Sequence, residues 1–166
     1  MLSNSSNLTH NLLPPSQILI MPDFNFEMTL QAGSKKLFEL VTDYENYKQV
    51  FPDQLKEVSV VSRNGSEVIT KEVLTFNTYF KNIKLYQKTS HSAHYPILVS
   101  NVIEGPFKGT VIQVTFDELD VGSKVTINVE LKISLKYKIL SPIIKSKYKS
   151  ILTSLLYKMN NIAMNA

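Results

Sequence analysis

VTDYENYKQVFP, residues 41–52, decides how the rest of the chain is read. Asp43 stands where a short side-chain oxygen caps a helix. Tyr47, Val50 and Phe51 supply the apolar positions, and Pro52 disfavours helical geometry at the residue before it. The spacing predicts a short helix over 44–50 that stops at Phe51-Pro52. Just upstream, GSKKLFELVTD puts Leu37, Phe38, Leu40 and Val41 on one side of another helix, with Ser34 as its cap. Two short helices joined by a kink thus divide one stretch of strand-like sequence from another.

Before them, FNFEMTLQA sets Phe24, Phe26, Met28 and Leu30 at period two, the mark of a half-buried strand. After them, KEVSVVS (56–62) and EVITKEVLTF (67–76) are joined by Arg63-Asn64-Gly65-Ser66, and Asn-Gly is a strong hairpin signal. Further strands are predicted over 79–90, 94–103 and 109–119, the last with Ile112, Val114 and Phe116 on one face. KVTINVELKISLKY (124–137) alternates most cleanly, with Val125, Ile127, Val129, Leu131, Ile133 and Leu135 facing one way. Ser141-Pro142 opens the last helix, with proline at its first position. Ile144, Tyr148, Ile151, Leu152, Leu155, Met159 and Ile162 form one stripe along it. The order is β-α-α-β-β-β-β-β-β-α, an α+β chain in which one long amphipathic helix covers a curved antiparallel sheet. A sheet curled around a helix leaves space between them, so a cavity is expected.

The 166 residues suit one domain. There is no cysteine, which excludes a disulfide scaffold, a thiolate metal site and a cysteine nucleophile, and agrees with a cytoplasmic location. No apolar run reaches the ~18 residues a membrane span needs. Residues 1–22 contain no charged side chain and are rich in Ser and Asn, so 1–21 is expected to be a flexible tail and 22–166 the folded domain. The net charge of +4 is unevenly placed: residues 131–166 hold seven lysines and no acid. Such a run is either a solvated face or a site for an anionic partner.

Three stretches, FELVTDYENYKQVFP (38–52), EGPFKG (104–109) and FDELDVGSKVTINVEL (116–131), together with the last helix, resemble the START-like (SRPBCC) superfamily. This is the group of polyketide cyclase/dehydrase and coenzyme Q-binding proteins, and the resemblance covers about residues 22–163. It implies a helix-grip fold, a curved antiparallel sheet wrapped around a long C-terminal helix, with an apolar pocket closed by that helix. Such proteins typically bind lipids, isoprenoid quinones, sterol-like molecules or polyketides. Some are cyclases or dehydratases, and one bacterial branch is associated with ribosomal subunits. On that fold the expected ligand-binding positions are Phe51, Leu74, Phe76, Asn101, Phe107 and Val114, with Val129, Leu131, Tyr148, Leu152 and Leu155 completing the wall. Phe51 is expected near the mouth. Asn101 is placed inside by sharing strand parity with Ile97, Val99 and Ile103, and its amide would orient a ligand's polar end.

Signs of catalysis are sparse. The five glycines form no phosphate-binding loop. His91 and His94 lie three apart in a strand and so face opposite ways, a poor geometry for a metal. No catalytic residue, metal or cofactor is assigned. Glu72 is the acid to watch, because it shares parity with Leu74 and Phe76; its other reading is a solvent-facing partner of Lys71 or Lys88. Tyr148 sits mid-stripe with a hydroxyl that needs a partner when buried. The leading expectation is a non-catalytic binder or carrier of a hydrophobic small molecule (lipid, quinone or polyketide-like), with transient contact at an anionic membrane surface. A cyclase or dehydratase acting in the same cavity is one alternative. An RNA- or ribosome-bound protein is another, weakened because Tyr148 and Tyr157 point in opposite directions and offer no shared stacking face.

Overall fold

Among the described residues, seven strands form one antiparallel sheet in the order β1-β7-β6-β5-β4-β3-β2. They are β1 (Phe24–Leu30), β2 (Leu55–Asn64), β3 (Glu67–Asn77), β4 (Asn82–His94), β5 (Ile97–Glu104), β6 (Val111–Glu118) and β7 (Ser123–Glu130). Helix α1 (Ser34–Val41) and a 3-10 helix (Tyr44–Gln49) separate β1 from β2, and α2 (Ser141–Asn165) closes the chain. The structure is a computed structural model, and it describes residues 23–50, 53, 55–77 and 82–166. The expected tail at 1–21, and Phe51 and Pro52, lie outside them.

Alternation builds the core. Val125, Ile127 and Val129 of β7 are fully buried on the inner face, flanked by Met28 and Leu30 of β1 and by Val114 and Phe116 of β6. α2 lays Ile144, Tyr148, Ile151, Leu155, Leu156 and Met159 against that face. The whole arrangement is the helix-grip fold expected from the resemblance. The far end of α2 is fastened to the corner after β1, where the Ala32 N–H donates to Asn160 Oδ1 at 3.0 Å and Ser123 Oγ donates to the Ala32 carbonyl at 2.8 Å. Gly122 completes this corner with a positive φ of 77°, and any side chain there would run into the Leu30 carbonyl oxygen.

Four details differ from the sequence reading. The chain turns at Tyr95-Pro96, so β4 runs through His94 instead of ending at residue 90. β7 stops at Glu130, seven residues early. There the ladder is replaced by side chains: the Leu131 N–H donates to Asp23 Oδ2 at 2.7 Å, and the Lys132 N–H to Thr110 Oγ1 at 2.9 Å. The chain then enters a second 3-10 helix, Leu135–Leu140, which buries none of its residues. Ser34 is not the cap of α1, because Gly33 holds that position. Ser34 instead donates its N–H to Glu118 Oε2 at 2.9 Å, which places a carboxylate at the start of the helix. Strand β2, at one end of the sheet, slips register against β3 twice, between Leu55 and Glu57 and between Val60 and Ser62.

Candidate functional site

Between α2 and the inner face of the sheet lies a cavity of about 110 Å3. Most of its wall is aliphatic: α2 contributes Ile151, Leu152 and Leu155, and the sheet contributes Leu74, Val114 and Ile127. Tyr44 and Tyr47 of the first 3-10 helix form part of the wall as well. Val41, Tyr44 and Tyr47 thus make one side of the cavity.

One wall is polar. Antiparallel pairing sets Glu72 of β3 opposite Gln87 of β4, Thr70 opposite Thr89, and His91 opposite Ser100 of β5. All share the inward parity, so their side chains meet. Thr70 Oγ1 donates to Glu72 Oε1 at 2.9 Å, and Thr89 Oγ1 donates to Glu72 Oε2 at 3.0 Å. Gln87 Nε2 also donates to Glu72 Oε2. His91 Nε2 lies 3.6 Å from Glu72 Oε1. With the Thr70 proton committed to Glu72, Thr70 Oγ1 accepts from His91 Nε2 at 2.8 Å. His91 Nδ1 meets Ser100 Oγ at 2.8 Å. Hydrogen bonds from two strands thus converge on one carboxylate, and Ser100 of a third strand holds His91 beside it.

Burial alone would raise the Glu72 pKa. The neighbouring His91 ring, with the hydrogen bonds from Gln87 and Thr70, outweighs it and holds the carboxyl below its ordinary value. Burial, and next to it the Glu72 charge, pushes the phenols of Tyr44 and Tyr148 up, so both are neutral donors. Tyr148 OH donates to Gln87 Oε1 at a long 3.4 Å. The Tyr44 ring stacks on His91 with centroids 4.4 Å apart and planes 27° from parallel. Its buried hydroxyl has no hydrogen-bond partner among the described residues.

Leu74, Val114, Tyr148, Leu152 and Leu155 stand on the cavity wall. Phe76, Phe107, Val129 and Leu131 are buried in the core but are not part of that wall. Phe107 instead supports it, packing edge-on against the Tyr148 ring. Asn101 is exposed on the outer face, which corrects its placement inside. The stretch ILVSNVIE (97–104) carries apolar residues at both parities, so alternation does not choose a face; Leu98, Ser100 and Val102 are the inward ones. Phe51 lies outside the described residues. The sequence reading missed Tyr44, Thr70, Gln87, Thr89, His91 and Ser100. Four of them lie on β3 and β4 at the inward parity of Glu72 and Leu85, the one signal that pointed to them.

Residues 30–159 match the model of a family described as polyketide cyclase / dehydrase and lipid transport. No curated protein matches the chain. Solved structures share its fold. A protein from Thermus thermophilus is 15% identical, with 85% of this chain and 96% of that one covered and a TM-score of 0.69. The Zhui aromatase/cyclase from a Streptomyces species is 10% identical, with 85% and 92% covered and a TM-score of 0.67. A START superfamily protein from Mycobacterium smegmatis is 15% identical, with 84% and 97% covered and a TM-score of 0.61. With the family match spanning well over half of its length, the chain belongs to the polyketide cyclase / dehydrase and lipid transport family.

Proposed function

We propose that this chain binds a small hydrophobic molecule in the cavity under α2 and does not transform it. The observation that carries the reading is an apolar chamber closed by one helix and polar on one wall. An apolar cavity of ~150 Å3 takes up benzene. At about 110 Å3, this one suits a body near the bulk of one aromatic ring. A longer lipid, quinone or polyketide would have to extend past it or displace α2.

The Glu72–His91 pair favours a second reading, a cyclase or dehydratase like the Zhui protein, with Glu72 as general base. Its protonation state argues against that role. A general base works best with a pKa near ~7, whereas Glu72 is held below the ordinary carboxylate value. It is a good anion and a weak base. The test is native mass spectrometry of the purified protein, followed by organic extraction of whatever travels with it. A stoichiometric apolar compound, recovered unchanged after incubation, is expected. Chemical conversion of that compound by the protein would favour the enzyme, and failure to retain or take up any apolar compound would refute binding.

We also infer a loading surface. Leu135 and Ile139, in the second 3-10 helix, are 85% and 89% exposed. They stand among Lys136, Lys138, Lys145 and Lys147, and no acid follows Glu130. Apolar tips set among lysines suit an anionic bilayer, where each lysine contributes about 1 kcal/mol. The chain should sediment with vesicles containing phosphatidylserine and not with phosphatidylcholine alone. Leu135→Asp with Ile139→Asp should weaken this by about tenfold. Binding to single-stranded RNA with none to vesicles would reject the membrane surface. No helix among the described residues is long and apolar enough to cross a membrane, so the contact would be peripheral.

A further inference from the structure

The polar wall also states what chemistry its ligand must carry. Glu72 asks for nothing more: one oxygen accepts from Gln87 and Thr89, the other from Thr70 with His91 beside it. An ammonium ligand would have to displace donors already in place. What it retains is its negative charge, and among the described residues no lysine or arginine lines the cavity. Among the described lining residues His91 alone can carry positive charge, and both its nitrogens are engaged, with Thr70 and Ser100. An entering carboxylate would meet a fixed anion and find no cation to pair with.

The unmet group is a donor. Tyr44 is 3% exposed, lines the cavity, and has a hydroxyl with no hydrogen-bond partner among the described residues. A buried hydroxyl left without a hydrogen bond is costly, and the cost is relieved when a ligand oxygen accepts from it. Its ring is stacked on His91, which holds the residue beside the polar wall.

Taking the cavity as a binding site, we propose that Tyr44 donates to an uncharged carbonyl or ether oxygen on an otherwise apolar ligand, while Glu72 excludes carboxylates of the same shape. The ligand class is then small neutral ketones, aldehydes, aryl ethers and their like, not free fatty or aromatic acids.

Four compounds built on one ring test this: ethylbenzene, acetophenone, benzoate and benzylamine. Each is titrated at neutral pH into protein carbon-13-labelled at its methyl groups, reading Leu74, Val114 and Leu155. Ethylbenzene tests the cavity alone, since it offers no oxygen. Acetophenone should bind more tightly than ethylbenzene, and benzoate at least about tenfold more weakly than acetophenone. Tyr44→Phe should weaken acetophenone about three- to tenfold and leave ethylbenzene unchanged. Glu72→Gln should raise benzoate affinity about tenfold relative to acetophenone. Benzoate or benzylamine binding as well as acetophenone to the unaltered protein would overturn the inference and leave the cavity reading standing. So would a Tyr44→Phe protein with an unchanged ratio of acetophenone to ethylbenzene. If ethylbenzene and the other three all leave the methyl signals unmoved, both readings fall. The ranking on the unaltered protein decides the matter even if a variant does not fold.

Discussion

Replacing His91 by leucine will lower the unfolding free energy by about 3 kcal/mol, the scale of breaking a buried pair from one side. The ring is hydrogen-bonded to Thr70 and Ser100 and lies 3.6 Å from Glu72, with both side chains of the pair largely buried. Without it, Glu72 keeps its charge in an apolar cavity with fewer groups to stabilise it. Adding Glu72→Gln to the same chain removes the charge and should recover most of the loss, because one amide oxygen still accepts from Thr70 or Thr89. Urea denaturation of the two single variants and the double gives the coupling directly. Equal losses in the His91→Leu single and the double would show that the two residues do not act on each other. The effect also has a sign with pH. Glu72 titrates below its ordinary value of 4.5 in the folded chain, so its carboxylate stabilises the fold above that value. The contribution is lost as pH falls through the lower, folded pKa. The stability gap between the native chain and Glu72→Gln should therefore be widest near neutral pH and narrow in acid.

Phe107→Ala should cost about 3–5 kcal/mol, and also change what the cavity admits. Phe107 is fully buried in the loop after β5. Its ring meets Tyr148 edge-on at 5.3 Å and Phe76 at 6.0 Å. Tyr148 forms part of the wall, and Phe107 packs against it. Removing the ring opens a void that lets Tyr148 recede, so a two-ring compound such as naphthalene should bind the variant better than the native chain. Phe107→Leu keeps most of the volume and should cost about 1.5 kcal/mol or less. A loss under about 1 kcal/mol for Phe107→Ala would mean that the site collapses around the void instead of holding it open.

The fold was legible where burial and hydrophobicity coincide. The inner face of β7 and the stripe along α2 are apolar at regular spacing, and they pack as the spacing requires. Legibility failed where the pattern continued past its partner. KISLKY (132–137) still alternates, yet Asp23 and Thr110 take over the backbone of residues 131 and 132, and Leu135 is left in solvent. Pro96 was a turn signal lying inside what read as a strand. The aliphatic wall could be reached from parity, as Leu74, Val114 and Leu155 show. The polar wall could not, because Gln87, Thr89, His91 and Ser100 look like solvent-facing residues until the neighbouring strands supply their partners. Glu72 alone stood out, since it lay in phase with Leu74 and Phe76.

The two slips of register in β2 bear on how copies of this chain meet. β2 is an outermost strand of the sheet, and an outer strand with evenly spaced free amides and carbonyls is a template for another chain to add to. Each slip bends the strand and breaks the even spacing. Lys56, Glu57 and Arg63 stand exposed along the same strand and would have to be stripped of water for a neighbour to dock. The irregular edge thus disfavours pairing between the β2 strand of one copy and a strand of another.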